Sequence, residues 1–200
     1  LIAEPEIIAP TVKITSPANN AHVLSTTNAD GLVTFRGTAS DSHKLWRLLY
    51  GVNGGPVINE VALVSTNNGK TATWELPVTL QPGTNTFVFQ AVDYSLNESV
   101  SVIRAVFFDV YTPITLANTG EGTLTPSGFT NGQVLLLGKP YKVTASVATG
   151  TNYVLTNWTY SVNGVDQGIL ETNNPKLTFL MQSNLVLTAN FVTNPLVQYG

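Results

Sequence analysis

Short alternating runs of apolar and polar residues, each cut off by a turn signal, constrain this chain more than any other feature. Thr11–Thr15 alternates and stops at Ser16-Pro17. Leu32–Ala39 puts Val33, Phe35 and Gly37 on one face and Thr34 and Arg36 on the other, the period-two pattern of a half-buried strand. Thr86–Asp93 does the same with Phe87, Phe89 and Ala91, after the turn Gln81-Pro82-Gly83-Thr84-Asn85. Ala72–Leu76 carries Trp74, and Val100–Val110 makes a further strand. Helical spacing occurs at His43–Tyr50, through Leu45, Leu48 and Leu49. That run is short and leads into Val52-Asn53-Gly54, a hairpin signal, so it reads as a strand. On that reading Trp46, Leu48, Tyr50 and Val52 share a face, and Trp46 falls in the core. About seven strands in about 100 residues, with regular turns, is the pattern of a β-sandwich.

The pattern continues past Asp109–Pro113, but its composition changes. Residues 1–110 carry nine acids and six bases, and residues 111–200 three of each. Strands are expected at 114–117, 122–126, 141–147, 155–162, 177–181 and 186–191. Gly120-Glu121-Gly122 reads as a hairpin turn. The halves share no fixed period, so they are two different modules, 1–109 and 110–200, rather than a duplication. The fold expected is all-β.

Composition excludes several chemistries. The 200 residues include no Cys, which removes disulfides, thiol nucleophiles and zinc–thiolate sites. Charged residues are only 10%, while Asn and Thr together number 46. A net charge of −3 argues against nucleic-acid binding. The longest apolar runs are about five residues against the roughly 20 of a membrane-spanning helix. No signal peptide is visible, and the start without Met reads as an excised or processed piece. As a fragment the chain is expected to be monomeric, with open sheet edges.

Reactive groups are sparse. Ser40, Asp41 and His43 form a nucleophile–base–acid set only on paper, because adjacent residues of one strand or turn do not converge. Two His residues, His22 and His43, are the available bases. No cofactor is implied. For calcium, the sandwich would bring Asp41 to the same end as Asp93 and Asn97, although such residues commonly satisfy backbone N–H groups in their own turns. For a sugar, an exposed flat ring is required. Trp74, Tyr94 and Tyr111 are the candidate ligand-facing aromatics, with Phe129 in a further loop. Trp74 is also a candidate core residue.

The first half resembles bacterial immunoglobulin-like domains, including those appended to glucodextranase-type enzymes. The resemblance rests on Pro10–Pro17, Val33–Asp41, Val52-Asn53-Gly54, Trp74, Pro82–Thr86 and Ala91-Val92-Asp93. It spans roughly 8–109. The family often follows that last motif with Gly-Asn, whereas this chain has Tyr94-Ser95-Leu96-Asn97. The second half is similar to the divergent internalin-type B-repeat, through Gly120–Gly128, Gly138, Val143-Thr144-Ala145, Gly150, Tyr153, Leu155 and Trp158, the last of which the resemblance implies is a core residue. Asn174-Pro175, Phe179-Leu180-Met181, Asn184 and Leu187–Phe191 complete that match, roughly 111–193. The resemblance implies an Ig-like sandwich followed by a small β-grasp-like module, in a bacterial surface or secreted protein. The function expected is a non-catalytic structural or adhesion module, a spacer or stalk, with a protein or glycan ligand at the cell surface as a possible partner. The alternative is a carbohydrate-binding accessory region of a polysaccharide-degrading enzyme, distinguished by an exposed aromatic pair at one sheet face or loop end.

Overall fold

The computed structural model describes residues 6–195, and the chain divides into two compact units, Leu1–Asp109 and Val110–Gly200. The processed start read at Leu1–Pro5, and the last five residues of the tail, lie outside the described residues. No α-helix occurs among the described residues, and none of their helices is long and apolar enough to cross a membrane.

Unit 1 holds nine strands: β1 (Thr11–Ser16), β2 (Ala21–Leu24), β3 (Leu32–Ser40), β4 (Leu45–Val52), β5 (Asn59–Val61), β6 (Leu63–Thr66), β7 (Thr71–Thr79), β8 (Gly83–Asp93) and β9 (Val102–Asp109). They form a four-stranded sheet in the order β1-β3-β7-β6 and a five-stranded sheet in the order β2-β9-β8-β4-β5. The chain leaves the first sheet at Ser16-Pro17 and joins the second as β2, which runs parallel to β9. The strands of unit 1 that the periodicity did not reveal, β2, β5 and β6, have three or four residues each and lie at sheet edges, too short for alternation to register.

The core of unit 1 is aromatic. Trp74 and Phe89 stack at 4.9 Å, and Phe35 packs on Phe87 at 4.4 Å. Trp74 is 1% exposed. It faces Gly37 across the β3–β7 ladder. A Cβ on Gly37 would lie 2.3 Å from the indole and 2.1 Å from the Lys13 carbonyl oxygen. The missing side chain is what makes room for the ring.

Trp46 is not in this core. β4 carries a bulge between Leu45 and Arg47, which reverses the alternation. Leu45 and Leu48 are buried on opposite parities, and Trp46 is left 42% exposed. The helical spacing of Leu45, Leu48 and Leu49 was the trace of that bulge.

Unit 2 holds β10 (Tyr111–Pro113), β11 (Thr115–Thr119), β12 (Gly122–Ser127), β13 (Val134–Leu136), β14 (Pro140–Val147), β15 (Tyr153–Val162), β16 (Val165–Thr172), β17 (Lys176–Leu180) and β18 (Val186–Thr193). They form sheets ordered β11-β18-β15-β16, β12-β14-β17 and β10-β13, with β11 parallel to β18. One core joins them, built from Ile114, Trp158, Phe179, Met181, Leu187 and Phe191 among others. Trp158 is fully buried, and its indole N–H donates to the Asn174 carbonyl at 2.9 Å. Phe129 belongs to this core at 7% exposure and is not a loop aromatic open to ligand.

Gly120-Glu121-Gly122 is not a hairpin turn. The strands on either side, β11 and β12, lie in different sheets. The glycines mark a corner that Phe191 presses on: a Cβ on Gly122 would lie 2.3 Å from its ring, and one on Gly120 2.4 Å from its carbonyl oxygen.

Two substitutions test these cores separately. Trp158→Ala should destabilise unit 2 by about 3–5 kcal/mol and leave the melting of unit 1 nearly unchanged. Gly37→Ala overpacks unit 1, should cost about 3 kcal/mol or more, and should leave unit 2 unchanged. Calorimetry with both transitions assigned is the measurement, and a single cooperative transition that is lost entirely in either variant would contradict the division into units.

Candidate functional site

The bulge that expels Trp46 also builds a site. Pairing of Leu45 with Asp93 brings the start of β4 beside the end of β8, and the Tyr94 N–H donates to the Lys44 carbonyl at 3.2 Å. The rings of Trp46 and Tyr94, the latter 60% exposed, then lie 6.3 Å apart, tilted by 36°. Each carries a cation: the Arg47 guanidinium is 4.1 Å from the Trp46 centroid, and the Lys44 ammonium 4.9 Å from the Tyr94 centroid. Together they line an open cleft of about 670 Å³, bordered on the other side by Glu60 at β5, by β6 and by Asn68-Gly69 in the turn before β7. Arg47 meets Glu60 at 3.7 Å, a loose exposed ion pair, and its Nε–H has no hydrogen-bond partner.

Of the aromatics expected to face a ligand, Tyr94 is in this cleft. Trp74 is not, because it is buried in the core of unit 1 and presents no ring face. Tyr111 lies on β10 of unit 2, 36% exposed. Trp46 was assigned to the core and is instead the second ring. The sequence signal that could have found it was the apolar pair Leu45 and Leu48 on opposite parities of one strand.

Beside Tyr94 sits a buried carboxylate. Asp93 is 1% exposed and accepts hydrogen bonds from the Asn97 backbone N–H and side-chain amide, both at 2.8 Å. The same amide donates to the Glu6 carboxylate at 2.9 Å, which ties residue 6 to this loop. Burial by itself raises the Asp93 pKa. The hydrogen bonds from Asn97, with contacts to Glu6 and the Ser95 backbone, outweigh it and hold the carboxyl below its ordinary 3.8. Asp41 accepts the His43 N–H at 2.7 Å, and its other oxygen is buried without a partner. No group of three or more His, Cys, Asp or Glu among the described residues is placed to hold a metal ion.

The residues Ser40, Asp41 and His43 do not converge. The Ser40 hydroxyl bonds Thr11 at 2.8 Å, and the His43 ring bonds Ser42 at 3.1 Å. His22 pairs with Asp109 at 2.7 Å and stacks on Phe107.

The Asp93 shift predicts an acid sensitivity of unit 1. A carboxyl whose folded pKa is depressed adds stability above its unfolded value and loses it as pH falls through the folded one. Stability should therefore drop as pH falls below about 3.8. Asp93→Asn should lower stability at pH 7 and flatten that acid dependence, as measured by unit 1 melting temperature against pH. An unchanged slope in the variant would rule the contribution out.

Residues 10–88 match the bacterial Ig domain, and residues 112–195 match the divergent InlB B-repeat domain. No curated protein matches the chain. Among solved structures, the CbhA fibronectin(III)-like modules of Clostridium thermocellum are 20% identical, with a TM-score of 0.35, covering 50% of this chain and 98% of theirs. The SrpA adhesin of Streptococcus sanguinis is 14% identical, with a TM-score of 0.38, covering 72% of this chain and 94% of its own. The cycloalternan-degrading enzyme of Trueperella pyogenes is 10% identical, with a TM-score of 0.30, over 67% of this chain and 22% of the enzyme. The chain carries, in this order, a bacterial Ig domain and a divergent InlB B-repeat domain.

Proposed function

We propose that the chain is a non-catalytic, tension-bearing spacer within a larger bacterial surface or secreted protein, of the kind that holds an adhesive or enzymatic part away from its anchor. Domains of these two kinds fit an extracellular module and are typically non-catalytic. The observation that carries the reading is shared by both units. Near the start of each, one strand lies parallel to the last strand and directly beside it: β2 against β9, and β11 against β18.

Parallel neighbours place the incoming and outgoing ends of the chain at opposite ends of one ladder. Tension then slides the two strands past each other and strains all of their hydrogen bonds together. An antiparallel pair joined by a hairpin would instead open one bond at a time. The ladders are extended by Ser25, whose N–H donates to the Asp109 carbonyl at 2.9 Å, and by Thr115, whose N–H donates to the Leu185 carbonyl at 2.9 Å.

Single-molecule stretching between the chain ends tests this. Two separate unfolding events are expected, one per unit. Proline has no N–H to donate, so Ser25→Pro should lower the force of the first unit only and Thr115→Pro that of the second only. Unchanged forces in both variants would sink the tension-bearing role.

A further inference from the structure

We infer that the Trp46–Tyr94 cleft binds a carboxylate-bearing oligosaccharide. This adds a ligand to the spacer, whose load-bearing role stands or falls by a separate measurement. Exposed indole and phenol rings side by side are costly to leave in water and suit a partner with an apolar face and polar edges. A pyranose ring is such a partner: its C–H face is weakly positive and lies on the negative face of an aromatic ring. The cleft, about 670 Å³, is in the range of small-ligand sites, about 300–1,000 Å³.

The cations decide the ligand's charge. Lys44 and Arg47 stand on the two rings, in a unit whose acids outnumber its bases. Arg47 reaches Glu60 only at 3.7 Å, too far for a hydrogen bond, and an exposed pair of this kind is worth about 1 kcal/mol or less. A ligand carboxylate can take the guanidinium as a two-point partner with little lost from Glu60. Glu60 and Asn68 line the same cleft and supply an acceptor and an amide for sugar hydroxyls. An acidic peptide fits less well. Peptides dock on sheets by adding a strand, and the edge strands at the cleft, β5 and β6, are only three and four residues long.

The test is calorimetric titration of the whole chain with oligogalacturonate, oligoalginate and hyaluronan fragments, alongside neutral maltooligosaccharides and poly-glutamate. Saturable binding to at least one acidic saccharide is expected, weakened by salt and about tenfold tighter than the neutral series. Trp46→Ala and Tyr94→Ala should each cost about tenfold or more in affinity, the loss of a central contact, and Lys44→Gln and Arg47→Gln should weaken acidic ligands only. Unchanged far-UV circular dichroism and melting temperature would show that the variants fold, and Tyr94→Ala, at the more exposed ring, is the second arm if Trp46→Ala does not. Three results would overturn the assignment. The first is no binding to any acidic saccharide. The second is binding that survives removal of both rings. The third is poly-glutamate binding as tight as the saccharides that depends on Lys44 and Arg47 but not on the rings, which would make the cleft an acidic-peptide site.

Discussion

The indole of Trp74 against the bare backbone of Gly37 is the contact on which unit 1 depends. Without cysteines, this sandwich has no covalent staple between its sheets. A large ring from β7 spans the interior instead, stacked on Phe89 of the opposite sheet. The ring fits only because β3 places a residue without Cβ opposite it. Unit 2 uses the same device in another form, where Phe191 presses on Gly120 and Gly122 while Trp158 fills the core and satisfies its N–H at Asn174. In both, a glycine reads locally as a turn or a weak strand residue. Its actual constraint comes from a ring distant in sequence.

Trp74 fills the centre of unit 1, and Trp46 lies outside that core. The bulge at Leu45–Arg47 turns Leu45 and Leu48 inward and Trp46 outward. Tyr94 follows the tightly held Asp93, and the hydrogen bond from its backbone to Lys44 fixes the spacing of the two rings. The bulge places Trp46 in the cleft, and both of the cleft's cations come from residues at or beside it.

Much was legible in the chain alone. The alternation at 32–39 and 86–93 revealed β3 and β8 with their inward faces, because long strands half buried in a sheet impose a period of two. Zero Cys and the sparse, scattered titratable groups narrowed the chemistry. The compact units meet at Asp109 and Val110. The burial of Trp158 was read correctly from the motif that carries it. Short edge strands escaped because three or four residues do not complete a pattern, and the eight-residue edge strand β16 (Val165–Thr172) escaped because it is mostly exposed and shows no period-two burial.

What the sequence by itself determined is therefore the class of fold, the order of the two modules and most of the inward-facing residues, since these follow from local periodicity and turn chemistry. Which tryptophan occupies the core, which faces solvent, and which strands run parallel at the ends of each unit were decided only by tertiary structure. A ring's burial depends on whether a partner strand leaves space for it, and that space at Gly37 lies 37 residues from Trp74 in the chain. One extra residue in a strand inverts every face beyond it, and only pairing with β8 reveals where that residue sits.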